Sequence, residues 1–432
     1  MTQKAPTLTF AAGNAQKLLA LPVYALGVVA TLIVPRKLGH WVVGCGSGIG
    51  EGALALYRLA SAEGHERARS PRTPTQVIWL ARDEREATIA AAEGIPAVVK
   101  TSFRGFWLTL RAQVVVVTHG LGDANRYATR GAFVLQLWHG IPFKRIQLDS
   151  QQTTSNSLLP RAHWMRKLLE RLYRLASSTI SLIPAASELS ASRLRTAFGL
   201  PEHKVVVTGD PRDDVLCQGT EAERTGSARA LLFGKLSLEN SFQRVILYAP
   251  TWRDGEVDPG VPSETEWALI AAWLASSDSM LVIRPHPHGV GDYAAGIDAN
   301  ARVHLLDSSL QSDINPILPA VDLLITDYSS IALDFALLGR PIAFLAADLD
   351  HYASTRGLYE DFATFSGGHH EISWTALVEF LHQDANTLLA GGVSIDDLTV
   401  HGKNLAARYH AFRDGRNTER VFAELLQRLD GH

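Results

Sequence analysis

Short apolar runs rich in β-branched residues recur along the chain, each closed by Gly, Pro or polar residues. In the first half they are His40–Gly44, Gln76–Leu80, Ala97–Val99, Gln113–Thr118, Phe133–Trp138, Thr179–Ile183 and Lys204–Thr208. In the second half they are Val245–Ala249, Met280–Ile283, Val303–Leu306, Leu323–Ile325 and Ile342–Leu345. Runs this short and uniformly apolar fit strands buried on both faces of a parallel sheet. Helical stretches separate them, such as Glu264–Ala275, and the last, Gly402–Leu429, is amphipathic. Strand and helix alternating through both halves predict an α/β chain of two doubly wound, Rossmann-type domains facing a cleft.

The polar stretch 218–243 lacks a buried-strand pattern and is expected to link them. The expected divisions are an apolar N-terminal segment 1–37, a first domain 38–217, the linker 218–243 and a second domain 244–432. With 432 residues the chain is too long for one compact domain and comfortable for two.

Composition adds exclusions. Apolar residues make up 46% and charged residues 20%, which is globular and not disordered. A net charge of -3 excludes a generally basic nucleic-acid binder, so no nucleic-acid partner is expected. Cys45 and Cys217 lie far apart with no CxxC neighbour, which excludes a disulfide scaffold and argues against a zinc site. No DxD-type motif stands out, so no tightly bound metal or cofactor is expected. The cysteine usage points to the cytoplasm.

In an open parallel sheet, ligands bind at the carboxyl ends of the strands, so the residues just after each run carry the chemistry. Four such ends are informative. Phe133–Trp138 is followed by His139, Gly140, Ile141, Pro142 and Lys144. Gly and Pro set a sharp loop there, and His is the usual proton acceptor near neutral pH. Val245–Ala249 leads into Thr251, Trp252, Arg253 and Asp254. Met280–Ile283 leads into Arg284-Pro285-His286-Pro287, where two prolines rigidify a His beside an Arg. That pair suits pyrophosphate or developing phosphoryl charge. Leu323–Ile325 leads into Thr326-Asp327-Tyr328-Ser329-Ser330 at the start of a helix. Small hydroxyls at a helix N-terminus make a phosphate cradle, although Asp327 or Ser329 can equally cap the helix. His119 ends the Gln113–Thr118 run as an accessory or structural residue. The glycines around Gly46 and Ser47 are spaced G-x-G-x-G-x-G, not as a dinucleotide fingerprint, and suit a tight turn that an acceptor can approach.

Taken together these segments resemble the CDP-glycerol glycerophosphotransferase family of teichoic-acid polymerases and primases. The matching pieces run in order. They are Gln136-Leu137-Trp138-His139-Gly140 with Lys144, Thr208-Gly209-Asp210-Pro211-Arg212-Asp213-Asp214, and Ala249-Pro250-Thr251-Trp252-Arg253-Asp254. Then follow Arg284-Pro285-His286-Pro287, Thr326-Asp327-Tyr328-Ser329-Ser330 with Asp334, and Asp348 to Tyr352 with Arg356-Gly357. The loop after His139 departs from the family pattern at Ile141 and Phe143, and Asp210 is a second departure.

The resemblance implies a GT-B-like fold and a reaction. An acceptor hydroxyl attacks the β-phosphorus of CDP-glycerol, and CMP leaves. It implies His139 as general base, with His286 and Arg284 stabilising the pyrophosphate and the departing CMP. Ser329 and Ser330 would hold phosphates, Asp334 would accept ribose hydroxyls, and Arg253 would be a further phosphate ligand. Gly46, Ser47, His119 and Lys144 would lie on the acceptor side. Donor and acceptor would be a CDP-alditol and a lipid-linked or polymeric hydroxyl. Two alternatives share this frame: ribitol-phosphate transfer, and a GT-B sugar-nucleotide glycosyltransferase or epimerase.

Leu18–Val34 is apolar, interrupted by Pro22 and Gly27 and flanked by Lys17, Arg36 and Lys37. It reads as an interfacial helix, a core helix or a membrane anchor. The basic amphipathic stretch 161–174 sets Arg166, Lys167, Arg171 and Arg174 beside Trp164 and Leu168. It supports peripheral attachment at the cytoplasmic membrane surface, against a helix that packs its Leu stripe on the core.

Overall fold

A computed structural model describes residues 21–66, 73–150, 153, 163–239, 242–253, 257–286, 289, 291–382 and 394–431. Every expected strand is present. The first seven are β1 Lys37–Val43, β2 Gln76–Ala81, β3 Ala97–Val99, β4 Ala112–Val117, β5 Phe133–Gln136, β6 Ile180–Ala185 and β7 Val205–Val207. They form one parallel sheet in the order β3-β2-β1-β4-β5-β6-β7. The other five are β8 Arg244–Ala249, β9 Ser279–Ile283, β10 Val303–Leu305, β11 Leu323–Thr326 and β12 Ile342–Phe344. They form a second parallel sheet in the order β10-β9-β8-β11-β12. Both orders reverse once, between β1 and β4 and between β8 and β11, as doubly wound sheets do.

The chain divides into two compact units whose membership differs from the expected division. The first unit takes residues 1–139, 146–214 and 411–432, and the second takes 140–145 and 215–410. The expected second domain therefore loses its C-terminal helix, Asn417–Asp430, to the first unit. Val421, Phe422, Leu425 and Leu429 of that helix join the core cluster of Trp41, Val43, Trp79 and Val116. Trp41 and Phe422 meet at 5.8 Å. The Asp214 carboxylate receives the Asn417 and Thr418 N–H groups at 2.8 Å each, so it closes the start of the helix. Asp210–Asp214, read from sequence only as a matching motif, is thus part of this clasp.

The expected linker is also a different object. Residues 221–236 form a helix in the second unit, opened by a reciprocal capping box between Thr220 and Glu223. Its apolar stripe is narrow, with Ala228, Leu232 and Phe233 buried, which is why the stretch reads as polar. The second unit's own core gathers Ile246, Leu281, Ile283, Ile325, Trp374 and Leu377.

The apolar N-terminal run forms the helix Leu21–Ile33, while residues 18–20 lie outside the described part. Gly27 lies against the backbone of Tyr127, where an added Cβ would come 2.1 Å from the carbonyl oxygen. Arg36, expected to flank a membrane segment, instead donates to the carbonyls of Thr109, Ala112 and Ala128 at 2.6–3.0 Å. Burial lowers its pKa to about 10.

Candidate active site

In the second unit the strand order reverses between β8 and β11, and the residues following both strands fold over that point. Asp327, just after β11, turns back toward β8. Its carboxylate accepts the Thr251 N–H at 2.9 Å and the Arg253 guanidinium at 3.0 Å. Arg253 also donates to both Asp348 oxygens, at 2.8 and 2.7 Å. Its guanidinium lies 5.2 Å from the Tyr328 ring and 4.7 Å from the Tyr352 ring. Those rings stack 4.2 Å apart. Arg253 is only 5% exposed. Burial works against its charge, but Asp348 and Asp327 outweigh it and hold its pKa above the usual value. The expected phosphate ligand is therefore an interior cation with two carboxylate partners.

This cage supports Trp252. The Arg356 guanidinium lies 4.8 Å from the Trp252 ring, and the His286 ring stacks on it at 5.7 Å. Pro250, Trp252, Asp258, Pro285, His286 and Tyr293 line a pocket at this sheet edge. His286 is exposed, and Pro285 fixes the backbone before it. Pro287 and Asp254 lie outside the described residues. Arg284 points elsewhere, donating to the carbonyls of Leu306 and Ser312 at 3.1 Å each. Burial lowers its pKa to about 10.

Lys144 was expected on the acceptor side, but its segment belongs to the second unit. Arg145 N–H donates to Gly357 at 3.0 Å, Tyr359 N–H donates to Phe143 at 3.0 Å, and Phe143 stacks on Phe365 at 3.8 Å. Apolar packing of the loop thus draws Lys144 to the Arg253 and Arg356 side. Burial lowers the Lys144 pKa to about 8, Asp327 opposing the shift and Arg356 and Arg253 adding to it.

The expected phosphate cradle is partly used internally. Thr326 donates its hydroxyl to Ala249 at 2.7 Å, and Asp334 is 1% exposed on the buried face of its helix. Ser329 and Ser330 remain half-buried at the helix start, and Ser330 makes no side-chain cap.

In the first unit the order reverses between β1 and β4. Gly46 and Ser47 follow β1, and His119 follows β4. The Gly46 N–H donates to Thr118 Oγ1 at 3.2 Å, and that hydroxyl lies 2.8 Å from His119 Nδ1. Asp123 accepts the His119 N–H at 2.6 Å and the Thr118 N–H at 2.9 Å. An added Cβ on Gly46 would come 2.5 Å from the His119 ring, so only glycine fits. Trp138, at φ +65°, turns the chain out of β5 in a conformation most side chains avoid. Phe198 holds it edge-on at 5.1 Å. The turn sets the His139 ring on the His119 ring, 4.0 Å apart and 2° from parallel.

Of the expected residues, His286, Lys144, Ser329 and Ser330 gather at the second switch point, and Gly46, Ser47, His119 and His139 at the first. Trp252, Asp348, Tyr352 and Arg356 were visible only as parts of matching motifs. Each acts through a partner distant in sequence.

The sequence profile of the family described as CDP-Glycerol:Poly(glycerophosphate) glycerophosphotransferase matches residues 61–427. The chain is 28% identical over 351 residues to the teichoic acid glycerol-phosphate transferase of Staphylococcus aureus (strain NCTC 8325 / PS 47), covering 80% of this chain and 84% of that one. It is 28% identical over 303 residues to the teichoic acid ribitol-phosphate polymerase TarK of the same strain, covering 68% of this chain. It spans 52% of that polymerase's length. Its fold matches that of the wall teichoic acid polymerase TagF with a TM-score of 0.69 at 19% identity, covering 99% of this chain and 98% of the other. The two doubly wound sheets are thus those of a GT-B-like fold.

Proposed function

The chain belongs to the CDP-glycerol:poly(glycerophosphate) glycerophosphotransferase family, and on that premise we propose that it transfers glycerol phosphate from CDP-glycerol to a hydroxyl of a lipid-linked or polymeric teichoic-acid-like acceptor, releasing CMP. One observation carries the reading. An exposed, proline-preceded His286 is paired with Trp252 and Arg356 at the second unit's switch point. An aromatic face with cations beside a rigid imidazole suits the base and diphosphate of a nucleotide donor.

In this reading the acceptor oxygen bonds to the β-phosphorus while the bond to the CMP oxygen breaks. His139 takes the acceptor proton, with His119 fixing its ring. His286, Arg356 and Lys144 meet the charge that develops on the phosphates, and Ser329 and Ser330 orient them. Arg253, Asp327 and Asp348 position Trp252. Catalysis of this kind is positioning and charge stabilisation. Ribitol-phosphate transfer is the second reading, because the chain is as identical to the ribitol-phosphate polymerase TarK, 28%, as to the glycerol-phosphate transferase.

The test incubates the chain with a lipid-disaccharide acceptor and CDP-glycerol, CDP-ribitol or UDP-sugars in parallel. CMP release from CDP-glycerol is expected, and His139→Ala and His286→Ala each abolish it while the circular dichroism is retained. CMP release confined to CDP-ribitol replaces the alditol. Nucleotide release confined to a UDP-sugar sinks the proposal.

The same reading places the chain at the cytoplasmic membrane surface as a peripheral protein. Among the described residues no helix is long and apolar enough to cross a membrane. The helix Leu21–Ile33 leaves Leu26, Leu32 and Ile33 more than 70% exposed. In the helix His163–Ser178, Leu169 is buried while Trp164, Leu168 and Leu175 form an exposed stripe beside Arg166, Lys167 and Arg171. Basic residues around exposed apolar anchors suit an anionic bilayer. Co-sedimentation with anionic liposomes that survives charge reversal at Arg166, Lys167 and Arg171 counts against this helix.

A further inference from the structure

The geometry points to a zinc-type metal site in the first unit, held by Cys45, Glu51 and His119 at the switch point between β1 and β4. One ligand atom from each residue lies within 4.8 Å of the others. Cys45 Sγ and Glu51 Oε2 are 3.8 Å apart. The site goes beyond the transfer reaction, and its existence does not depend on that reading.

Three features support it. The donor set is one thiolate, one imidazole and one carboxylate. That combination suits zinc and leaves its fourth position open, whereas magnesium and calcium prefer oxygen alone. The ligands are also tethered. Ser47 Oγ lies 3.0 Å from Cys45 Sγ and donates to Glu51 Oε1 at 2.9 Å. Thr118 Oγ1 lies 3.3 Å from Cys45 Sγ and 2.8 Å from His119 Nδ1. These hydroxyls are outer partners of the kind that orient metal ligands.

The third feature is backbone strain. Glu51 sits at φ +54°, left-handed for a residue with a side chain, at the start of its helix. Such conformations persist where surrounding structure enforces them, and they cluster at functional sites. Here the turn brings the carboxylate to a thiol that is 3% exposed. When a divalent cation binds, the Cys45 thiol proton passes to solvent and a sulfur–metal bond forms, with the Glu51 carboxylate and the exposed His119 imidazole as the other ligands.

His139 stacks on the ligand His119 at 4.0 Å, so the open position lies near the proposed general base. A metal there can bind an acceptor hydroxyl and lower its pKa.

The experiment strips the purified full chain with a chelator and titrates it with Zn²⁺ against a chromogenic competitor, with Co²⁺ in parallel. One metal per chain and a thiolate-to-cobalt charge-transfer band are expected. Cys45→Ser removes the band and weakens zinc at least about tenfold, and Cys217→Ser changes neither. Glu51→Gln and His119→Asn keep the band and weaken binding about tenfold or more. If Cys45→Ser fails to fold by circular dichroism, those two carry the test. Absence of stoichiometric binding, or affinity unchanged in folded Glu51→Gln and His119→Asn, overturns the site.

Discussion

The imidazole of His119 lies flat on that of His139, with centroids 4.0 Å apart and planes 2° from parallel. Thr118 and Asp123 fix His119 from behind, so His139 rests on a braced ring. A misplacement of about 1 Å in a catalytic group can lower a rate about 100-fold. We expect His119→Ala to lower kcat between about 10- and 100-fold with KM for the donor nearly unchanged. In metal-stripped protein His119→Phe, which keeps a flat ring, should recover most of the loss. Steady-state CMP release decides. Equal kcat in wild type and His119→Ala would remove His119 from the site.

Lys144 yields a pH prediction with a definite sign. Its pKa is depressed to about 8 by burial, reinforced by Arg356 and Arg253. The free protein therefore loses this cation as pH rises through about 8, while an unfolded lysine stays charged to about 10.4. If the charged form holds the donor phosphates, kcat/KM falls above pH 8 while kcat stays flat, because kcat/KM reports the free enzyme. Lys144→Arg should abolish the fall. The sign for stability is opposite. Between those pH values the unfolded chain binds the extra proton, so unfolding free energy rises with pH. Lys144→Met should flatten that rise in urea titrations. A kcat/KM profile identical in wild type and Lys144→Arg would falsify the phosphate role.

All twelve strands were legible because a strand buried on both faces needs a local run of apolar, β-branched residues, and nothing distant alters that requirement. The carboxyl-end rule then located the segments after β5, β8, β9 and β11. Side-chain partners were not legible. Arg253 meets residues 74 and 95 positions away, and only the parallel pairing of β8 with β11 brings Asp327 to it. Lys144 follows His139 by five positions, yet the packing of Phe143 on Phe365 takes it into the other unit. The Cys45 cluster carries no CxxC signature, because the partners proposed for it come from Glu51 and the end of β4. The capping box Thr220–Glu223 is a local signal for the helix Glu221–Leu236 within the stretch expected to be a linker.

The Arg253 cage predicts a stability effect that a surface phosphate ligand would not have. Removing the guanidinium leaves Asp327 and Asp348 without their shared cation, at 2% exposure for Asp327. Breaking one side of a buried ion pair costs about 3–5 kcal/mol. We expect Arg253→Ala to lose that much in urea unfolding, and Arg253→Lys to regain little, because an ammonium cannot donate in two fixed directions. A loss below about 0.5 kcal/mol, typical of surface substitutions, would return Arg253 to the phosphate role.

The C-terminal helix predicts how the first unit fails. Asp214 accepts Asn417 N–H, Thr418 N–H and the Thr418 hydroxyl at 2.8, 2.8 and 2.6 Å. Alanine there strands those donors and removes a favourable charge at a helix start, about 2–3 kcal/mol together. Deleting residues from Ala411 onward goes further. It strips Val421, Phe422, Leu425 and Leu429 from the core around Trp41. At about 1.5–3 kcal/mol for each fully buried side chain, the four together are worth about 6–12 kcal/mol. That is of the order of a whole domain's stability, about 5–15 kcal/mol. The shortened chain should therefore lose the fold of the first unit, with Trp41 exposed to quencher and β1 to β4 open to protease. A soluble truncation with Trp41 still protected would show that this helix covers the sheet without being needed to hold it.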